Sequence, residues 1–407
     1  MKTTLPEIKL EEYTYDLPDE RIAKYPLENR DASKLLYYHD GEIDNLQFPA
    51  IEKLIPADSA LFFNNTKVIP ARIFFRKDTG AKIEVFLLNP LKPSPVITQA
   101  MEAKGSATWA AMVGNAKKWK DDQVLEREMD INGTKVMLKA RITSRAPFEV
   151  TFEWTPEEIA FVDIVEGAGT VPLPPYMNRE AEEEDKPRYQ TVFSKHEGAV
   201  AAPTSGLHFT DEILGKLDAK NIQRQELTLH VSAGTFQPVK EANAVNHPMH
   251  EEQIIISREN VQTILNNIGK VFCVGTTSMR TLESLYWYGV KLMEDPSAAF
   301  FVEKLRPYQY EMQEMPTVED SMKAVMAKMD RDQTDVLQGS TEIFIFPGYP
   351  FQIIEGIITN FHQPGSTLIM LVAAFVGEDW KKIYANALEK DYRFLSYGDA
   401  SFLRRKR

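Results

Sequence analysis

The chain is expected to be an α/β protein carrying an antiparallel β insert, on three observations. Apolar and polar residues alternate with period two from about residue 70 to about residue 160. Strands alternate with helical segments after about residue 210. At 407 residues the chain exceeds what one hydrophobic core usually takes in, so two or three domains are expected.

Taken in order, the opening third reads as strands and turns. Asp40-Gly41 stands between Leu35-Leu-Tyr-Tyr38 and the run from Ile43 to Phe48, and such a pair supplies the positive φ of a tight hairpin. In the insert, Ile83, Val85 and Leu87 alternate with Lys82, Glu84 and Phe86; Leu138, Ala140 and Ile142 with Lys139 and Arg141; and Phe148, Val150, Phe152 and Trp154 with Glu149, Thr151 and Glu153. Asn132-Gly133 adds a second hairpin turn, and no convincing long helix intervenes, so a small barrel or sandwich is expected. Val171-Pro-Leu-Pro-Pro-Tyr176 is too proline-rich for a helix or central strand, and with the acidic run at 180–185 it reads as an ordered crossing loop.

Beyond it, a helix is predicted to open at Thr210, with Asp211 and Glu212 in its first turn, followed by an alternating strand through Leu227, Leu229 and Val231. Ser257 is a helix cap. Val271 to Val274 reads as a buried strand that runs through Gly275, Thr276 and Thr277 into a helix carrying Arg280 and Glu283. The same pattern recurs where the strand from Ile353 to Ile358 ends at Thr359-Asn-Phe-His362, ahead of an apolar helix from Leu368. Ligands of α/β sheets bind beyond the carboxyl ends of such strands, so the two loops are expected to face one pocket. The stretch 287–339, with a charged helical segment from Val318 to Arg331, is expected to be a surface insertion.

Composition narrows the class. Apolar residues at 43% and charged residues at 26% describe a globular chain. A net charge of −12 opposes non-specific attraction to a phosphate backbone, so a nucleic-acid partner needs a local basic patch. The tail Arg404-Arg-Lys-Arg407 is one candidate, read here as a solvated end. Cys273 is the sole cysteine, which excludes an intrachain disulfide and a cysteine-based zinc site; its apolar surroundings make it a core residue. No apolar segment follows the charge near the N-terminus, and the run 368–376 is far short of the roughly 20 residues that span a bilayer. A cytoplasmic enzyme without membrane contact is the expectation.

Five of the seven histidines lie between His196 and His250, and imidazole is the side chain that titrates nearest neutrality. His208 sits in Ala202-Pro-Thr-Ser-Gly-Leu-His-Phe-Thr210, whose Thr204, Ser205 and Gly206 shape a loop before a helix start. His230 opens Leu229-His-Val-Ser-Ala-Gly-Thr-Phe-Gln-Pro238, which carries Gly234 and Thr235; on an alternating strand it reads equally well as a buried, satisfied histidine. His247 and His250, with Glu251, have i,i+3 spacing open to ligand contact or metal binding. Pro248 opposes a regular helix there and no third histidine follows at a familiar spacing. No metal is assigned.

With these loops in view, the chain strongly resembles the S-adenosylmethionine:tRNA ribosyltransferase-isomerase family of the queuosine pathway. The resemblance runs through Tyr15-Asp-Leu-Pro18, Pro26-Leu-Glu-Asn-Arg-Asp-Ala-Ser33, Asn65-Thr-Lys-Val-Ile-Pro-Ala-Arg72, Pro172-Leu-Pro-Pro-Tyr176 and Arg188-Tyr-Gln-Thr191. It continues through the three histidine segments, Val274-Gly-Thr-Thr-Ser-Met-Arg-Thr-Leu-Glu-Ser284, Phe346-Pro-Gly-Tyr349, Ile358-Thr-Asn-Phe-His362 and Tyr392-Arg-Phe-Leu-Ser-Tyr-Gly-Asp399. So many ordered motifs are far more specific than a lone glycine-rich loop.

The resemblance implies a discontinuous α/β domain with a mixed sheet over 1–69 and 165–407, interrupted by an inserted antiparallel β-barrel domain over 70–164. It implies transfer and isomerisation of the ribosyl part of S-adenosylmethionine onto 7-aminomethyl-7-deazaguanine in tRNA, giving epoxyqueuosine-tRNA with release of adenine and methionine. S-adenosylmethionine is then a co-substrate, no cofactor is tightly bound, tRNA is the macromolecular partner, and a monomer is expected. A sulfonium acidifies the adjacent 5′ carbon, so the chemistry calls for a positioned base, and adenine departure calls for an acid.

His208, His230 and His250 are the catalytic candidates, with His208 in the leading base role. Arg30, Asp31, Thr204, Ser205, Gly206, Gly234, Thr235, His247, Glu251, Gly275, Thr276, Thr277, Arg280, Glu283, Asn360, His362, Arg393, Tyr397 and Asp399 are the substrate-binding candidates that the family motifs carry over. Arg280 and Arg393 are the better fits for an RNA phosphate or the methionine carboxylate, because a guanidinium binds such anions bidentately. The chain departs from the family pattern in its length, mostly between Trp287 and Gly339, and at Ser205, Ser232 and Gln363. A divergent paralogue is therefore an alternative, as an S-adenosylmethionine-dependent RNA methyltransferase or a non-catalytic tRNA-binding protein. The absence of a G-x-G-x-x-G loop weighs against the methyltransferase.

Overall fold

The computed structural model describes residues 7–231 and 241–405. Its first strands, β1 (Lys34–His39) and β2 (Glu42–Gln47), pair antiparallel through the predicted turn, where Asp40 and Gly41 both take positive φ, 47° and 88°. The fully buried β3 (Ala60–Asn64) and the short β4 (Thr66–Val68) follow.

The alternating segment then builds a separate sheet: β5 (Arg72–Arg76), β6 (Lys82–Lys92), β7 (Ser106–Gly114), β8 (Leu125–Ile131), β9 (Thr134–Arg145), β10 (Phe148–Thr155) and β11 (Gly169–Thr170). All its pairs are antiparallel, in the order β11-β5-β6-β7-β10-β9-β8. The sheet curls until β8 comes beside β5 without a ladder between them. The seam is bridged by Arg127, whose guanidinium donates to Phe74 O at 3.1 Å and Ala168 O at 2.6 Å. The expected barrel is thus a curled, half-closed sheet. Its core holds Trp109, Phe152 and Trp154 around Phe161 on helix α1 (Phe161–Ala168), with ring centroids 5.5 to 5.7 Å apart. The sheet reaches Thr170, and the boundary expected at 164 falls inside α1.

After this sheet the chain returns to the first one. The strands are β12 (His196–Ala199), paired in parallel with β4, then β13 (Gln223–His230), β14 (Glu252–Ser257), β15 (Val271–Val274), β16 (Phe301–Val302), β17 (Val336–Thr341), β18 (Ile354–Asn360) and β19 (Ala400–Arg404). The ten-stranded mixed sheet has the order β16-β17-β14-β13-β3-β15-β18-β19-β1-β2. Its centre, β13-β3-β15-β18, is parallel; β3, β15 and β18 are buried almost throughout and mostly apolar, as strands covered on both faces must be, while β13 is buried only over its second half.

The predicted helix signals act as read. Thr210 Oγ1 accepts the Ile213 amide to open α2 (Asp211–Ala219), and Ser257 forms a capping box with Asn260 at α3 (Arg258–Asn266). Helix α4 (Gly275–Glu294) starts directly at the end of β15, so Gly275, Thr276 and Thr277 are its first turn rather than a loop. Three further helices are α5 (Val318–Asp332), α6 (Thr367–Val376) and α7 (Asp379–Glu389). Helix α6 is apolar nearly all round and buried at seven of its ten positions. Among the described residues no helix is long and apolar enough to cross a membrane.

The segment 287–339 is not the surface insertion expected. Trp287, Met322, Val325 and Met329 are completely buried, and β17 joins the main sheet through six residue pairs with β14. The α4–α5 crossing is so close that a Cβ on Gly289 would lie 2.1 Å from Ser321 Oγ. The charges of α5 mask an apolar stripe at 322, 325 and 329, which is one helical face.

Candidate active site

A cavity lies beyond the carboxyl ends of β13, β15 and β18, where the strands run into loops and helix starts. Its volume is about 150 Å³. One side is the first turn of α4, Gly275 to Thr277; the opposite side is Asn360 to Leu368, which ends in the first turn of α6. Gly275 has φ +86°, a conformation that lets the strand turn into the helix with no side chain in the way. Two helix N-termini therefore face one cavity and favour an anionic group between them. The Thr277 hydroxyl is buried there without a hydrogen-bond partner among the described residues.

The remaining wall is aromatic and polar: Tyr176, Tyr189, Phe361, Thr204, Ser205, Leu395 and Ser396. Tyr176 Oη and Ser396 Oγ are 2.5 Å apart, and burial raises the phenol of Tyr176 to about 12, so it stays protonated. Neither tyrosine nor Ser396 is among the expected site residues. Their signal is the proline-rich segment before Tyr176, which by its composition alone reads as a crossing loop.

His362 is the histidine on this wall. It is buried, its Nε2 lies 3.0 Å from Thr359 Oγ1, and desolvation lowers its pKa to about 3. The loop is held from behind. The Tyr384 hydroxyl accepts the His362 amide at 3.0 Å, Tyr15 Oη donates to His362 O at 2.5 Å, and the Leu395 amide donates to Phe361 O at 3.0 Å.

His208 stands one residue behind the wall. Asn360 Oδ1 accepts the hydroxyls of Thr204 (2.8 Å) and Ser205 (3.1 Å), so its Nδ2, 3.4 Å from His208 Nε2, must be the donor. Nε2 then carries the lone pair and Nδ1 the proton, which reaches Ser33 Oγ at 3.0 Å. Burial lowers the pKa of His208 to about 4, so it is neutral at physiological pH. Gly206 lets this turn sit against Phe193, whose Cζ would be 2.6 Å from an added Cβ.

On its other side His208 lines a small cleft with Arg30, Arg188, Arg393, Ser33 and Tyr397. Asp399, buried behind Arg393, accepts the amides of Lys34 (3.1 Å) and Arg393 (2.8 Å) and the Arg393 guanidinium (3.2 Å). Tyr397 donates to Asp185 Oδ1 at 2.9 Å. Asp31 lies in the 3-10 turn Arg30–Ala32 and is partly buried.

The three catalytic candidates are not brought together. His230 is buried at the seam of the two large sheets, 3.0 Å from Thr66 Oγ1, with a pKa lowered to about 4 by desolvation. It lines a separate cavity with Glu251, Gln253, Pro95 and Ile97. His250 is exposed; His247 is partly exposed, and its pKa is lowered by burial. Gly234 and Thr235 lie outside the described residues, as does Ser232.

Arg280 and Glu283, on α4, are also away from the cavity. Arg280 pairs with buried Glu252 and donates to Ile343 O at 3.3 Å. Glu283 is fully buried and accepts the amides of Gln352, Ile353 and Ile354 and the Tyr349 hydroxyl, at 3.0 to 3.3 Å. Among the described residues no cluster of three or more His, Cys, Asp or Glu side chains is arranged to hold a metal.

These features define an α/β protein with a cavity at the carboxyl edge of its sheet, one neutral histidine on its wall and another just behind it. By its sequence the chain belongs to a known family, that of the queuosine biosynthesis proteins, whose model matches residues 10–403. It is also similar to a solved S-adenosylmethionine tRNA ribosyltransferase from Thermotoga maritima, with 26% identity over 96% of this chain and 99% of that one and a TM-score of 0.45.

Proposed function

We propose that the protein transfers and isomerises the ribosyl part of S-adenosylmethionine onto 7-aminomethyl-7-deazaguanine in tRNA, giving epoxyqueuosine-tRNA and releasing adenine and methionine. On this reading it is a cytoplasmic, monomeric transferase-isomerase with no tightly bound cofactor, and the curled sheet is an inserted domain. The observation that carries the reading, beside the family, is the convergence of two helix N-termini and an aromatic wall on one cavity. Helix N-termini suit the methionine carboxylate, and aromatic faces suit a sulfonium cation.

Proton transfer follows from the placement of the histidines. His362, on the cavity wall with a neutral ring, is the group positioned to take the proton from the carbon next to the sulfonium. His208 is a positioning residue that acts through Asn360, since Asn360 and not His208 faces the cavity. A base of low pKa is weak, so this assignment relies on the sulfonium, which raises the acidity of the carbon it activates. The hydroxyls of Thr204 and Ser205 orient Asn360 and fix the edge that it presents.

The test is incubation with S-adenosylmethionine and tRNA bearing the aminomethyl base. Equimolar adenine and methionine are expected. S-adenosylhomocysteine as the product would replace the reading with a methyltransferase, and tRNA binding without consumption of S-adenosylmethionine would replace it with a non-catalytic binder.

A further inference from the structure

We infer that Arg30, Arg188 and Arg393 form a subsite for one phosphodiester of the acceptor RNA, in the cleft behind Asn360. The inference rests on the tRNA reading above and adds the place where the backbone is held.

Two of the three guanidiniums lack a counter-charge among the described residues. Arg30 donates to the main-chain oxygens of Gln190 (2.7 Å), Leu207 (3.5 Å) and Pro187 (2.8 Å), and Arg188 to those of Glu28 (3.1 Å) and Leu27. Neither forms an ion pair with a carboxylate among the described residues, and no carboxylate lines the cleft. Asp399 and Asp185, which bond to cleft residues Arg393 and Tyr397, are already engaged. Asp399 serves Arg393 and two amides, and Asp185 is held bidentately by Arg179 at 2.6 and 2.7 Å. The Arg188 Nε is buried with no partner among the described residues.

Neighbouring guanidiniums fixed by carbonyls repel one another, and burial together with Arg188 pulls the pKa of Arg30 down. An anion entering the cleft relieves this directly. A chain of net charge −12 that holds RNA needs such a local excess of positive charge.

The size of the cleft selects the anion. At about 20 Å³ it admits one or two oxygens and excludes a nucleobase. Ser396 lines both this cleft and the main cavity, so a phosphate held here lies next to a nucleotide whose base enters that cavity. The planar fork of arginine matches a phosphodiester better than a lysine point charge would.

The full chain and the variants Arg188→Gln, Arg188→Lys and Arg393→Gln, each checked for folding by circular dichroism, are to be titrated with tRNA bearing the aminomethyl base at a series of salt concentrations. S-adenosylmethionine binding is measured in parallel by calorimetry. Arg188→Gln and Arg393→Gln are each expected to weaken tRNA binding about tenfold and to flatten the log–log salt slope by about 0.7 to 0.9. Binding of S-adenosylmethionine stays at the wild-type level. Arg188→Lys retains part of the slope and supports folding if the glutamine variant fails to fold.

A folded glutamine variant with the wild-type slope overturns the subsite. So does loss of S-adenosylmethionine affinity with the slope retained, which would assign the cleft to the methionine carboxylate. If the wild-type protein binds tRNA and releases adenine while the variants behave identically, only the subsite fails; if the wild-type protein binds no tRNA, both readings fail.

Discussion

Asn360 Nδ2 stands 3.4 Å from His208 Nε2, and this contact links that imidazole to the main cavity. Converting Asn360 to aspartate replaces the donor with a charge that pulls a proton onto His208. The Asn360→Asp variant is expected to lose at least tenfold in adenine release, with a new inflection in its pH–rate profile as the imidazole becomes protonated. Single-turnover assays across pH check this, and a wild-type profile in the variant would show that Asn360 does not couple the two.

His362 lines the cavity and His208 does not, so the two replacements should separate. His362→Ala is expected to lower the adenine-release rate by about 10² to 10⁴, with S-adenosylmethionine affinity little changed. His208→Ala is expected to cost less in rate and more in stability, since it leaves Ser33 and Asn360 without their partner. Equal rate losses would return His208 to the leading role.

Burial holds His208 and His230 at about 4 and His362 at about 3, against 6.5 in an exposed imidazole. Below about pH 6.5 the unfolded chain takes up protons that the folded chain refuses, so stability present above that pH is lost as pH falls toward 4. Each tenfold loss of proton affinity on folding is worth about 1.4 kcal/mol once the pH has dropped through the whole interval. Urea midpoints measured from neutral to mildly acid pH should fall, and His230→Asn should flatten part of the fall. A profile identical to the wild type would show that His230 is not held neutral.

Glu283 serves the fold. Its carboxylate accepts three consecutive amides ahead of and into β18, so Glu283→Ala is expected to destabilise the protein by about 3 to 5 kcal/mol. Specific activity of the protein that remains folded should be close to normal. Chemical denaturation together with activity per folded molecule decides this; loss of activity without loss of stability would move Glu283 into the site.

Met329 tests whether the segment 287–339 belongs to the core. It is completely buried on α5, and Met329→Ala is expected to cost about 2 to 5 kcal/mol. A surface position would change stability by less than about 0.5 kcal/mol.

What could be read in the chain was local. The hairpins at Asp40-Gly41 and Asn132-Gly133, the caps at Thr210 and Ser257, the alternating strands and the two strand-to-helix junctions all depend on residues within a few positions of one another. Backbone sterics, side-chain capping and burial period suffice to specify them. The α5 stripe was legible too, at 322, 325 and 329, but charged residues between those positions outweighed it.

Which histidine faces the ligand was not local. His208 meets Asn360 across 152 positions and Ser33 across 175, while Lys34 meets Asp399 across 365. Those meetings are set by the order of the parallel strands, which puts the ends of β15 and β18 side by side and that of β13 one strand further on, across β3. Sequence by itself determined that histidines, hydroxyls and glycine turns would line strand ends. Only the tertiary structure decided that His362 is on the cavity wall, His208 is behind Asn360, and His230 is at another seam. The physical reason is that periodicity encodes whether a residue is buried, whereas its partners depend on which strands lie next to one another.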